Sequence, residues 1–263
     1  LGGFDPKTLT SQRVIVHGKK DLIGVMGSKP LHVMTPDEKN KVPKITDYFI
    51  DLGMGKKEVE KLISVGNPIT RERGFIEMGD CFNCKSLDNR ISVFILLELI
   101  KRLKNPTHDV YAVFTVQEEV GIRGANVATQ EIQPDFGFGI DTTIAFDVPG
   151  AANHEKITEL GKGVAIKIMD ASTICDTRMV SFMKETASNN NIKWQNEILT
   201  SGGTDTSGIQ RMTPGGSIAG AVSISTRHIH QVIEMVHKDD VSNAIELLQK
   251  CLENMKSYNW DFK

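Results

Sequence analysis

Neither sign of charge prevails in this chain, and no apolar stretch is long enough for a bilayer. The 31 basic and 33 acidic residues are mixed along the sequence and leave a net charge of −2. That balance gives no electrostatic footprint for nucleic acid or an anionic membrane, so neither partner is expected. The longest apolar run, Ile91 to Ile100, is interrupted by Glu98 and has roughly half the length that a membrane helix requires. Cysteine is scarce as well. Four residues, at 81, 84, 175 and 251, are too few and too scattered for a disulfide framework, and a reducing cytoplasm is the expected setting. Cys81 and Cys84 have zinc-ribbon spacing, but no second ligand pair follows at a suitable distance, so a zinc knuckle is not expected. The opening residues, Leu1-Gly2-Gly3-Phe4-Asp5-Pro6, show neither the basic nor the hydrophobic part of a secretory signal.

Length and composition allow a full core, divided into two domains. Residues 1–76 read as a small β-rich domain. Arg13–His17 and Leu22–Met26 flank the turn-like Gly18–Asp21, a hairpin signal, and Pro30, Pro36, Pro43 and Pro68 punctuate what surrounds it. Residues 77–263 alternate helix and strand patterns, the signature of an α/β sheet covered by helices. Helices are expected at Asp88–Leu103, Thr177–Ser188 and Lys238–Met255. Buried strands are expected at Asp109–Gln117, at Phe136–Phe146 with a break at Asp141, and at Gly163–Met169, Lys193–Leu199 and Ser217–Ser225.

The residues with chemical potential stand at the ends of these elements. The apolar run Tyr111–Val116 stops at Gln117-Glu118-Glu119-Val120-Gly121. Side chains alternate along a strand, so two adjacent carboxylates serve one site only if the strand ends and the backbone turns there. One carboxylate can then bind a cation while the other handles a water, a division suited to metal-assisted hydrolysis. Asp88 falls at a helix N-terminus, where an ordinary capping role competes with a ligand role. Asp141 interrupts an apolar run, so it is either exposed at a strand end or buried, where a carboxylate requires a cation or a basic partner. His228 and His230 follow the last strand. If that strand persists they share a face and can bind zinc together; otherwise one belongs to the surface and one to the core. Ser201-Gly202-Gly203-Thr204-Asp205 is a glycine-rich loop without the lysine of a phosphate cradle. Close approach to a peptide-like substrate fits it better, with Gly203, Thr204 and Asp205 as candidate contacts.

Taken in order, Ser86–Arg90, Gln117–Gly121, Gly139–Thr143 with Asp147-Val148-Pro149-Gly150, Gly202–Asp205 and Arg227–His230 form a set. The set resembles the glutamyl aminopeptidase or endoglucanase-like family of dinuclear metallopeptidases, the TET aminopeptidase type, over nearly the whole chain. The resemblance implies an α/β mixed-sheet catalytic domain of the zinc-peptidase kind at 77–263, with helices on both faces. Residues 1–76 would be the inserted β-rich dimerisation domain. It further implies two divalent metal ions, zinc or cobalt, with Asp88 bridging, Glu119 and His230 completing one site and Asp141 holding the other. Glu118 would be the general base acting on a metal-bridging water, the substrates would be peptides, and the chain would form dimers or larger assemblies of dimers. In such proteins a further metal-binding His, in a His-x-Asp motif, precedes the segment that Leu1-Gly2-Gly3 resembles. This sequence has nothing at that place, so the catalytic domain is expected to be incomplete on its N-terminal side. Two other readings compete: a glycosidase using Glu118 and Glu119, whose adjacency suits the required carboxylate separation poorly, and an inactive or weakly active homologue acting as a binding or assembly module.

Overall fold

The computed structural model describes residues 2–3, 5–104 and 106–262. Phe4 of the Gly2–Pro6 segment, with Leu1, Asn105 and Lys263, lies outside the described residues. Two compact units are present: residues 3–74 with 230–232, and residues 1–2 with 75–229 and 233–263.

The smaller unit is built on a four-stranded antiparallel sheet. β1 (Arg13–His17) pairs with β2 (Asp21–Gly27), whose outer neighbour is β3 (Phe49–Asp51), while β4 (Ile69–Arg71) closes the other side. Two short helices, α1 (Pro36–Lys39) and α2 (Lys56–Leu62), lie between these strands in sequence. The expected hairpin is there, in the register His17 opposite Asp21. Val14, Val16 and Leu22 point inward and are buried, as period-two alternation requires.

The larger unit is a seven-stranded mixed sheet with helices on both faces. Its first two strands are β5 (Ile76–Met78) and β6 (Cys81–Cys84), followed by α3 (Leu87–Arg102) and α4 (Arg123–Ile132). Then come β7 (Phe136–Ile144), β8 (Val164–Met169), α5 (Thr177–Asn189), β9 (Trp194–Ile198), α6 (Asp205–Met212), β10 (Ile218–Arg227), β11 (Glu234–His237) and α7 (Lys238–Asn254). The order is β5-β6-β11-β10-β8-β9, with β7 also paired to β10, in parallel. β10 is therefore central and buried along nearly all its length, which its small residues permit. One face carries Val222, Ile224 and Ile166 into the main core with α3, α5 and α7. The other receives α6: a Cβ at Gly139 would collide with the Thr206 hydroxyl, so glycine is what lets the helix approach β7. Among the described residues no helix is long and apolar enough to cross a membrane.

Two expectations from the sequence fail here. Residues 109–117 are not a strand: no regular structure runs through Asp109–Thr115, and Tyr111, Phe114 and Val116 are 65, 47 and 67% exposed. The apolar pattern of a buried strand is present, but no neighbouring strand among the described residues offers it a hydrogen-bond ladder, without which the backbone cannot hold that form. Nor does Asp141 break its strand. β7 runs through it without interruption, with Asp141 opposite Ser223, because that face of the sheet is polar. Alternation places Asp141, Thr143, Ser223 and Lys167 together on it.

Candidate metal centre

No strand immediately precedes the adjacent glutamates, but the backbone does turn at them. Glu118–Val120 is a single 3₁₀ turn, and left-handed residues bracket it, Gln117 with φ 59° and Gly121 with φ 117°. Gly121 supplies that geometry without a steric cost, whereas Gln117 does not have this freedom. The turn closes with Gly121 N–H and Ile122 N–H both donating to Glu118 O, at 3.0 and 2.9 Å.

Asp88 lies at the start of α3 but does not cap it. Its backbone is non-helical, a cis peptide joins it to Asn89, and its N–H donates to Glu234 Oε2 at 2.9 Å. The next residue, Asn89, makes a capping-type bond instead, its Oδ1 accepting from Ser92 N–H at 3.3 Å. Asn89 also reaches the sheet: its Nδ2 donates to Ile140 O at 3.0 Å and to Asp141 Oδ1 at 2.8 Å. The same Asp141 oxygen accepts from Thr142 N–H at 2.8 Å. Asn89 and Glu234 are thus outer partners of the acidic groups, and the sequence reading missed both. Asn89 could have been found from its place next to Asp88 at a helix start; nothing local marks Glu234.

One ligand atom from each of Asp88, Glu119 and His230 lies within 4.8 Å of the others. β10 ends at Arg227, and both His228 and His230 have left-handed backbones, with φ of 58° and 63°. The condition for a shared strand face is not met, and His230, not His228, belongs to the cluster. Asp141 is 8% exposed. Burial raises its pKa well above the ordinary value, and Asp88 and Glu118, both acidic, raise it further. The Thr142 N–H and the charge of Lys167 act against that rise without cancelling it. Two carboxylates and an imidazole converging beside it supply oxygen and nitrogen donors that suit zinc or cobalt, so the residues fit a divalent metal.

Asp88, Glu118, Glu119 and Asp205 line a cavity of about 730 Å³, large enough for a small ligand. Asp205 is the first residue of α6, and Thr115 Oγ1 donates to its Oδ2. Burial raises the Asp205 pKa, partly offset by that hydrogen bond. Thr204 is buried and donates to Thr206 Oγ1 at 3.1 Å. Gly203 packs against Ser172 and Ile122.

The family described as M42 glutamyl aminopeptidase matches residues 1–247. The chain belongs to that family. Among solved structures, an aminopeptidase of the archaeon Desulfurococcus kamchatkensis superposes with a TM-score of 0.91 at 38% identity, over 96% of this chain and 71% of that one. The TET aminopeptidase of a marine sediment archaeon of the Thaumarchaeota gives a TM-score of 0.93 at 35% identity, over 97% of this chain and 73% of its own. The TET1 peptidase of Pyrococcus horikoshii, which can assemble into a tetrahedron or a large octahedral shell, gives 0.81 at 29%, over 95% and 74%. This M42 chain therefore spans about three quarters of the length of such proteins.

Proposed function

We propose that this chain is a dinuclear metal-dependent aminopeptidase that removes N-terminal residues from peptides. The observation that carries the proposal is the convergence of Asp88, Glu119 and His230 donor atoms within 4.8 Å, beside a buried Asp141 whose ionisation the neighbouring acids oppose. Asp88 would bridge two divalent ions, Glu119 and His230 would complete one site, and Asp141 would serve the other. When bound, such ions polarise the scissile carbonyl and make water a better nucleophile at neutral pH. Glu118 shares the 3₁₀ turn with Glu119 and faces the same cavity. It takes the proton from the attacking water and delivers it to the leaving amine, which couples nucleophile activation to expulsion of the product. Asn89 fixes which Asp141 oxygen turns outward by occupying the other. Asp205 lines the cavity, and with Gly203 and Thr204 just before it would be a candidate substrate contact.

The two domains divide the work in this reading. Residues 77–263 form the catalytic domain, and residues 1–76 form a dimerisation domain that supports homo-oligomers, as the assemblies of the Pyrococcus horikoshii protein suggest for a relative.

Substituting Glu118→Gln tests the assignment. The variant should bind zinc with unchanged affinity by calorimetry and lose about 10²- to 10⁴-fold in turnover of an aminoacyl-nitroanilide, the range for a removed general base. Equal turnover by variant and parent would sink it.

A further inference from the structure

The polar face of the sheet carries charged groups that the metal centre does not use. Lys167 is 1% exposed, and its Nζ lies 3.0 Å from Asp170 Oδ2 and 3.1 Å from Glu197 Oε1. Burial works against the ammonium, but Glu197 and Asp170 outweigh it and keep the lysine charged. Each carboxylate leads toward a part of the site. Glu197 Oε1 also accepts from Thr143 Oγ1 at 2.7 Å, and Thr143 stands two residues beyond Asp141 on the same face of β7. Asp170 Oδ1 accepts from Ser172 N–H and Oγ–H, both at 2.9 Å.

Ser172 transmits this anchoring to the glycine-rich loop. A Cβ on Gly203 would run into the Ser172 hydroxyl and would meet Ile122 Cδ1 at 3.5 Å. Ile122 is the residue whose N–H closes the Glu118 turn. Two positions further along the same loop, Asp205 holds Thr115, just before the turn. One loop therefore grips the chain on both sides of Glu118 and Glu119. Such a grip is needed, because the turn itself has no buried residue. Its backbone hydrogen bonds fix its shape but not its distance from Asp141.

We propose that the buried Lys167–Asp170–Glu197 triad, acting through Ser172 and the Gly203–Asp205 loop, is a positioning device that sets the Glu118–Glu119 turn against β7. Asp170, Ser172 and Gly203 are positioning residues. The consequence for turnover rests on the aminopeptidase reading, whereas the mechanical coupling of loop to turn does not.

The test uses the full chain loaded with zinc. Gly203→Ala pushes the loop off Ser172, and because misplacement by an ångström can cost about 10²-fold in rate, kcat for an aminoacyl-nitroanilide should fall on that order, and zinc, which Glu119 on the same turn helps to hold, should bind more weakly. Adding Ser172→Gly opens room for the new methyl group, which takes the place of the lost hydroxyl against residue 172, while the N–H of that residue still donates to Asp170 Oδ1; the double variant should therefore recover most of the lost kcat. Hydrogen exchange is read alongside. In Gly203→Ala the amides of Gly121 and Ile122 should exchange faster, while those of Val222 and Ile224 in β10 stay protected. Unchanged kcat in Gly203→Ala, no recovery in the double variant, or faster exchange throughout the sheet would each overturn the proposal. An inactive parent protein would instead overturn the aminopeptidase reading, and the exchange pattern would still decide whether loop and turn are coupled.

Discussion

Substituting Asp141→Asn should change stability in opposite directions with and without metal. Asp141 is nearly buried, and its raised pKa stems from burial first and then from Asp88 and Glu118. The asparagine is almost isosteric, and its amide oxygen can keep both hydrogen bonds, from Asn89 Nδ2 and from Thr142 N–H. Only the opposed charge is lost, so the metal-free variant should unfold at a higher temperature than the parent. The pH dependence fixes the sign independently. A carboxyl whose folded pKa exceeds its ordinary value of 3.8 stabilises the fold only while protonated. That contribution is fully present below the ordinary value and lost as the pH rises through the raised one. In chelator the advantage of the variant should therefore grow from acid toward neutral pH. With zinc the order reverses. Zinc at about one hundred times its dissociation constant adds about 2.7 kcal/mol to the parent. For a chain of this size that raises the midpoint by about 5–11 °C. A site weakened about one hundredfold would gain only about 0.4 kcal/mol at the same zinc concentration. Calorimetric melting of both proteins, in chelator and in zinc at several pH values, reads all of this. A variant less stable than the parent in chelator at pH 7 would refute the claim that Asp141 is held against its electrostatic preference.

Asn89→Ala removes the amide that orients Asp141 and should weaken zinc binding by about 10- to 100-fold by calorimetry. Lys167→Met leaves Asp170 and Glu197 buried without their cation and should cost about 3–5 kcal/mol in denaturant unfolding. Burial pushes the Cys175 and Cys251 thiols up to about 11 and about 12, so both should stay unlabelled by a disulfide reagent at pH 8 and react once the protein is unfolded.

Most of the α/β framework was legible because its signals are local. β7, β8, β9, β10, α3, α5 and α7 all fall where apolar periodicity puts them, within the few residues by which element ends differ. α4 went unread: it follows a left-handed Ile122 and has no side-chain cap, so no stop or start signal announces it. β11 is only four residues long, Glu234–His237, too short for periodicity to mark. Residues 109–117 show the limit from the other side. Their pattern was that of a strand, but a strand is a property of two chains in register, and a single run of apolar residues cannot say whether a partner is there.

The acidic positions were legible for a different reason, which is that polarity inside an apolar pattern is costly and draws the eye. Asp141 was conspicuous on that ground. Lys167 and Glu197 are as deeply buried, yet neither drew attention, although Lys167 stands between Ile166 and Ile168 and interrupts an apolar run as Asp141 does. What identifies the pair is a cross-strand register, Lys167 opposite Glu197 in β8 and β9, and register is set by the whole sheet rather than by either strand. The glycine-rich loop is the sharpest instance. Composition suggested a place where a substrate could approach the backbone; the structure shows that part of what approaches Gly203 is the protein itself, Ser172 and Ile122. A glycine kept for close approach says that something must fit there, and the neighbours that fold against it determine what that is.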